Sequence, residues 1–502
     1  MSEQQFKPDN MPLCILAIAL GVFMQVLDTT IANVSLPTIA GNMGVSLTQG
    51  TWVITSFTVC NAIGLPITAW LSRRVGEVNL YVAALVLFSV MSFMCGISQT
   101  MGELVFFRAL QGLAAAPLFP MSQVLLMAIF PRAKRSMALA LLGMVAVIGP
   151  IVGPILGGWL TYNYNWPWIF FINIPVGVFS VCVLLAQLRN KPSNISHSKL
   201  DYVGLTALVL GVGVLQLVLD KGNELDWFAN PWIIAGSVFA AVMIVFMVIW
   251  ELTEENPIIN LKLFANRNFT VGTALLTLGF AGFFSINLIL PQWLQSQMGY
   301  TAYYAGLASA PMGIIPLMLA PILGRFGHQL DMRILAGISF MVLSMSCYMR
   351  VQFNTDVDFA TIALVQLFMG LGVALFFMPL TTVLLSDLNN EQISDAASLS
   401  TFMRTLGASF ASSLTTWIWS RNASLHHSIL GENITLYNPL IASQFEQGPV
   451  ATQSALAQIN GTITTQSYML STIDLFSILM GLFIILAPFV FFTRKQQKQP
   501  AH

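Results

Sequence analysis

Fourteen stretches of this chain are each long and apolar enough to cross a bilayer, and nothing else in the sequence constrains the fold as strongly. They lie near 12–35, 50–71, 79–98, 103–128, 136–160, 168–188, 202–219, 231–252, 269–294, 303–324, 332–350, 359–386, 396–419 and 470–492. A helix needs roughly 20 apolar residues to traverse the hydrocarbon core, and lipid offers no partner to unpaired backbone groups. The runs therefore predict an all-α polytopic membrane protein. With 56% hydrophobic and 8% charged residues among 502, an ordinary soluble protein is excluded. The formal net charge of zero argues against bulk nucleic-acid binding. Met1 to Pro12 lacks a basic leader region and no small-residue cleavage site follows, so the first run reads as an uncleaved span.

Basic residues set the orientation, because short cytoplasmic loops are enriched in Lys and Arg. With the N-terminus in the cytoplasm, only Lys221, Arg350 and Arg421 fall outside, and an even number of spans returns the C-terminus to the same side. The chain also looks duplicated. Leu36-Pro37 ends the first span and Leu290-Pro291 the ninth, while Pro120 to Leu126 in the fourth matches Pro379 to Leu385 in the twelfth. Weak internal symmetry of this kind is a mark of two-bundle transporters. It predicts a six-helix bundle over 1–190, two inserted helices over 191–267, and a second six-helix bundle over 268–502 with a long periplasmic loop near 421–469.

Few residues in the spans carry chemistry. Asp28, in Leu27-Asp28-Thr29-Thr30 of the first span, is a carboxylate at membrane depth, which marks a functional site by default. Arg108 shares a helix stripe with Gln111 and Gly112 in the fourth span. A guanidinium keeps its proton, so its use is to hold a neighbouring carboxylate ionised and, on withdrawal, to let it protonate. Asp28 and Arg108 are accordingly paired as a proton-coupling site; a permanent ion pair that only fixes helix packing is the bland alternative. The fifth span carries Gly149, Pro150, Gly153, Pro154, Gly157 and Gly158. Glycines four apart allow close helix approach and the prolines permit a bend, which suits a sliding contact between half-bundles. Gln25, Asn33, Gln111, Asn287, Phe376, Phe377 and Arg404 are candidates to line a substrate cavity, with Arg404 able to attract an anion. Asp474 sits near the outer end of its span and is expected to reach the interface.

Other chemistries find little support. The five cysteines stand singly in apolar runs without a CxxC pair, and the adjacent His426 and His427 do not share a helix face, so no metal or cofactor site is expected. No GxxxxGK[ST] sequence occurs, so ATP is not the direct energy source and an ion gradient or passive transport remains.

Taken together, Leu27 to Pro37, Arg108 to Gly112 and Gly149 to Gly158 resemble the first-helix, fourth-helix and antiporter motifs of the fourteen-span drug:proton antiporters of the major facilitator superfamily. Gln49 to Phe57, Trp168 to Asn173, Glu224 to Phe228 and Ala308 to Pro316 extend the likeness to the EmrB-type multidrug efflux pumps within it. The resemblance implies the major facilitator fold and export of hydrophobic toxicants across the inner membrane. It also implies a proton site at Asp28 modulated by Arg108, a periplasmic adaptor resembling EmrA and an outer-membrane channel resembling TolC. One departure stands out: the loop between spans two and three holds Ala69 and Arg73 where the superfamily usually has glycine and aspartate, so no charge-relay gate carries over. Two other readings stay open: a dedicated exporter of one metabolite, fatty acid or siderophore, and a membrane sensor or lipid enzyme.

Overall fold

Backbone groups in hydrocarbon must be satisfied within their own segment, and the chain meets that demand with helices. The computed structural model describes residues 8–130, 135–188, 195, 201–255, 257–326, 330–389, 392–432, 434 and 449–494, and all regular structure among them is helical. The first half comprises α1 (Met11–Asn42), α2 (Trp52–Val75), α3 (Glu77–Ile97), α4 (Met101–Ala115), α5 (Leu118–Ile129), α6 (Arg135–Asn163) and α7 (Asn173–Leu188). Then come α8 (Tyr202–Lys221) and α9 (Pro231–Thr253). The second half comprises α10 (Arg267–Ser296), α11 (Ala302–Ser309), α12 (Ile314–Phe326), α13 (Met332–Val351), α14 (Phe359–Ala374), α15 (Phe377–Leu384), α16 (Ile393–Glu432) and α17 (Pro449–Phe489).

Helix starts follow the expected capping chemistry, in which a short polar side chain accepts from the free amides of the first turn. Asn10 accepts from Leu13 N at 3.2 Å, Thr100 from Glu103 N at 3.3 Å, and Asp358 from Thr361 N at 3.3 Å. Between α2 and α3 the chain reverses at Gly76, whose φ of +90° is open to glycine and strained for other residues.

Eleven helical segments among the described residues are long and apolar enough to span a membrane. Helix also occupies the three remaining predicted spans: α6 covers the fifth, α11 and α12 cover the tenth on either side of a 3-10 turn at Ala310–Gly313, and α16, rich in Ser and Thr, covers the thirteenth.

The duplication seen in the sequence recurs in the packing. A Cβ on Gly112 of α4 would collide with the backbone oxygen of Phe57 in α2, and one on Gly370 of α14 would come 2.5 Å from the backbone oxygen of Met312 between α11 and α12. Each half thus has a matching crossing where an added Cβ would strike backbone. The inserted α8 lies along both halves: Thr55 of α2 donates to Asp220, while Gln216 donates to Ser409 of α16 at 2.6 Å and Asn223, just past the helix, to the Ser413 carbonyl at 3.1 Å.

One expectation is corrected. The stretch near 421–469 is not an extended loop: α16 runs on to Glu432 and α17 begins at Pro449, so most of it is a helical hairpin protruding past the apolar spans. Trp419 donates to Thr472 at 2.9 Å, His426 meets Asp474 at 2.8 Å and His427 meets Asn460 at 3.2 Å, which zips the two helices together. Hydrophobicity alone ended the spans too early, because these polar side chains satisfy one another. Arg350, in the last turn of α13, is fully buried and donates to the Ser346 carbonyl at 2.8 Å and to Gln366 at 2.5 Å.

Candidate functional site

Asp28 lies on α1 with none of its surface exposed, and two other helices, α4 and α7, donate to it. Arg108 of α4 donates to Asp28 Oδ2; Gln111, one turn further on, donates to Asp28 Oδ1 at 3.2 Å; Asn173, first residue of α7, donates to the same oxygen at 3.1 Å. Asn173 also donates to Ser92 of α3 at 3.0 Å, and Ser92 to the Phe170 carbonyl at 2.9 Å. The i, i+3 spacing of Arg108 and Gln111 puts both on the face that meets α1, where the guanidinium also donates to Gln111 Oε1 at 2.9 Å.

The arginine is itself held in place. Its Nε donates to the Val53 carbonyl at 3.0 Å, and its guanidinium carbon lies 4.3 Å from the centroid of Phe57 and 5.5 Å from that of Phe170. Every acceptor position of the carboxylate that this geometry shows is filled by a donor from the first half of the chain. Removing either ion-pair partner would strand a buried charge, at a cost of roughly 3–5 kcal/mol. From Met101 at the helix start to Arg108 is about 10 Å along the axis, so the pair lies in the half of the bilayer away from the basic loops.

The glycine-rich helix braces this site from behind. A Cβ on Gly149 would sit 2.5 Å from Val26 Cγ1, one on Gly153 would be 2.8 Å from Thr30 Cβ, and one on Gly157 would be 2.8 Å from Ile31 Cγ1. The three glycines therefore press α6 onto the turn of α1 that carries Asp28, with the Thr30 hydroxyl oxygen 3.4 Å from the Gly149 carbonyl. This corrects the sliding contact between halves: the stripe packs within the first half, and the glycine of α6 that meets the second half is Gly143, against Phe377. Gly158 has nothing within 4 Å of an added Cβ, and the side chains of Pro150 and Pro154 lie outside the described residues.

Helices enclosing a buried carboxylate–guanidinium pair, with matching glycine crossings in the two halves, are a recognisable arrangement. The Major Facilitator Superfamily model matches residues 18–412. The chain belongs to the major facilitator superfamily. Within it, the chain is of the EmrB type: it is 48% identical over 498 residues to the multidrug export protein EmrB of Escherichia coli (strain K12), covering 98% of this chain and 97% of that one. It is 45% identical over 482 residues to the fatty acid resistance protein FarB of Neisseria gonorrhoeae, covering 95% of each. Among solved structures, the proton:xylose symporter XylE bound to 6-bromo-6-deoxy-D-glucose superposes with a TM-score of 0.61 at 14% identity, covering 97% of this chain and 96% of that one. At that identity the likeness speaks for the fold.

The other predicted residues of this superfamily member fall into two groups. Phe376 and Phe377 are buried in a ring cluster with Phe280, Phe283 and Phe340, at centroid separations of 5.0 to 6.1 Å. Arg404 lies against that cluster, 5.1 Å from Phe280, and 4.0 Å from Phe119 of the first half. Gln25 is part-buried on α1 with a buried Oε1 that has no partner, Asn33 is exposed, and Asn287 bonds only its own helix, to the Phe283 carbonyl at 2.8 Å.

Three site residues escaped the sequence reading. Asn173 and Ser92 carry the same signal that found Gln111, a polar side chain in an apolar span, but no motif singled them out. Arg73 was set aside because the usual aspartate is missing from its loop. Here it pairs with Asp395 of α16, and next to it Ser72 meets Ser394 at 2.8 Å, joining the two halves at the basic-loop end. The matching loop after α12, at 327–329, lies outside the described residues. Among the described residues there is no group of three His, Cys, Asp or Glu side chains suited to a metal ion.

Proposed function

We propose that this chain is a proton-coupled antiporter that exports hydrophobic or amphipathic drugs and toxicants. The observation that carries the reading is the fully buried Asp28, whose charge is balanced by one cation, Arg108, and two neutral donors, Gln111 and Asn173. A carboxylate so placed stays ionised while Arg108 is close and takes a proton when the pair separates. Opening the seam at Ser72 and Arg73 would expose the space between the halves to the opposite side of the membrane, giving alternating access. The energy source is then the proton gradient, with no cofactor, and the chain works as a transporter rather than an enzyme.

In this reading the chain has fourteen spans divided as 1–190, 191–267 and 268–502, lies in the bacterial inner membrane with both termini in the cytoplasm, and presents the α16–α17 hairpin to the periplasm. The hairpin and its relationship to EmrB support a tripartite assembly with an EmrA-like adaptor and a TolC-like channel. A narrower reading, export of fatty acids, is favoured by the 45% identity to FarB and is distinguished by the breadth of compounds resisted.

The test is the purified chain in liposomes with an imposed pH gradient, following luminal pH as a hydrophobic compound is added. Substrate-dependent proton movement is expected in the wild type and not in Asp28→Asn, which should insert normally. Equal proton movement in both proteins would refute the assignment of Asp28.

A further inference from the structure

Three arginines sit inside the helical body among the described residues, and they are treated differently. Arg108 has Asp28. Arg350 has no carboxylate but is fully buried and donates to Ser346 O, Gln366 Oε1 and Met369 Sδ. Arg404 is part-buried, and its described contacts are two aromatic rings, Phe119 at 4.0 Å and Phe280 at 5.1 Å, with no hydrogen bond or ion pair among the described residues. It lies nine positions beyond Asp395 on α16, about 14 Å along the axis, and so near the middle of a 30 Å hydrocarbon layer. A cation there is costly and normally pairs with an anion.

The rings supply no hydrogen-bond acceptor in their plane, so the guanidinium N–H groups are left to meet one. Together they form a fork matched to a planar carboxylate. Next to it lies an apolar cluster of packed rings, Phe280 on Phe377 at 5.9 Å and Phe377 on Phe376 at 5.0 Å, of a chemistry suited to contact an alkyl or aryl body. Phe119 comes from α5 of the first half and Phe280 and Arg404 from the second, so a molecule bound here touches both moving parts.

We propose that Arg404 is the head-group seat for amphipathic organic anions, taking a carboxylate or similar acid on its N–H edge while the apolar body lies along Phe280 and Phe377. This deepens the export reading by naming a substrate class and rests on it only for the direction of transport. Binding at Arg404 requires neither a gradient nor the protonation of Asp28.

The experiment uses the full chain in detergent, equilibrium binding of radiolabelled dodecanoate and of methyl dodecanoate, and the variants Arg404→Gln and Arg404→Lys. The wild type should prefer the carboxylate to the ester. Arg404→Gln should lose at least about tenfold in dodecanoate affinity with the ester unchanged, and Arg404→Lys should fall between, since an ammonium keeps the charge and loses the fork. Equal weakening of both ligands would overturn the proposal by making Arg404 a packing residue, as would undiminished dodecanoate binding in Arg404→Gln. If Arg404→Gln does not fold, a wild type that binds ester and acid equally still overturns it. Because no proton is followed, failure here is distinct from failure of the antiport assay with Asp28→Asn.

Discussion

Gly153→Ala adds one methyl group and should disable the transporter, whereas Gly158→Ala, five positions on in the same glycine-rich run, should leave it intact. The added Cβ at 153 would lie 2.8 Å from Thr30 Cβ and 3.3 Å from the Ile31 amide nitrogen, besides striking the Thr30 hydroxyl. Carbon atoms rest at about 3.5–4.0 Å, so α1 and α6 must part by about 1 Å or Thr30 must change rotamer. The rotamer is tied, because the Thr30 hydroxyl donates to the Leu27 carbonyl at 3.0 Å within its own helix. Overpacking of this kind costs about 1–3 kcal/mol. At 158 an added Cβ meets nothing within 4 Å.

The effect on function should exceed the effect on stability. Asp28 stands two residues from Thr30, and the bonds it accepts from Gln111 and Asn173, at 3.2 and 3.1 Å, are already at the long end of the normal range. A shift of about 1 Å in α1 takes one of them outside hydrogen-bonding distance. Thermal unfolding in detergent and drug resistance in cells, measured for both variants at matched expression, check the reasoning. Gly153→Ala should show a lowered midpoint and a near-complete loss of resistance, and Gly158→Ala neither. Equal damage from both, or none from Gly153→Ala, would refute the claim that the glycines serve the turn bearing Asp28.

Two further outcomes are expected. Arg108→Ala should lower the unfolding midpoint by the equivalent of roughly 3–5 kcal/mol through the stranded carboxylate, and adding Asp28→Asn should restore most of that while leaving efflux at zero; a double variant less stable than the single would contradict the ion-pair account. Cysteines placed at Ser72 and Ser394, whose hydroxyls lie 2.8 Å apart, should cross-link under mild oxidation and stop transport reversibly, whereas undiminished transport by the cross-linked protein would show that the halves do not part at this end.

What the sequence could reveal follows from how local each signal is. The pairing of Asp28 with Arg108 was readable because charge at membrane depth is so costly that two such residues in one half must meet. The spans were readable because hydrocarbon thickness sets their length. The protruding hairpin was not, since its apolar content stops near Trp419 while its helices continue on side-chain pairing such as His426 with Asp474, a contact 48 residues apart. Asn173 was hidden for a related reason: an asparagine at a helix start has a local capping role available to it, and only the fold shows it turned toward Asp28. The direction of the glycine stripe was equally hidden, because four-residue spacing marks a close approach without naming the helix that makes it.

The Asp28–Arg108 pair and Arg404 differ in net charge, which in the proposed antiport cycle would tie substrate chemistry to the driving force. With Asp28 ionised beside Arg108 that site is neutral, and protonation leaves it with one positive charge; Arg404 carries one positive charge when empty and none when an anion occupies it. A carrier that moves an anion outward with Asp28 ionised, then returns empty with Asp28 protonated, shifts two elementary charges per proton. An uncharged substrate on the same cycle shifts one. Each charge crossing a potential of 100 mV is worth about 2.3 kcal/mol, so a membrane that is negative inside drives the anion cycle about twice as hard without any change in the protein. An arginine without an acid partner in the middle of the bilayer, expensive as a structural element, would in the proposed cycle neutralise the anion while it crosses, and the electrical part of the gradient would then act on the substrate's charge as well as on the proton's.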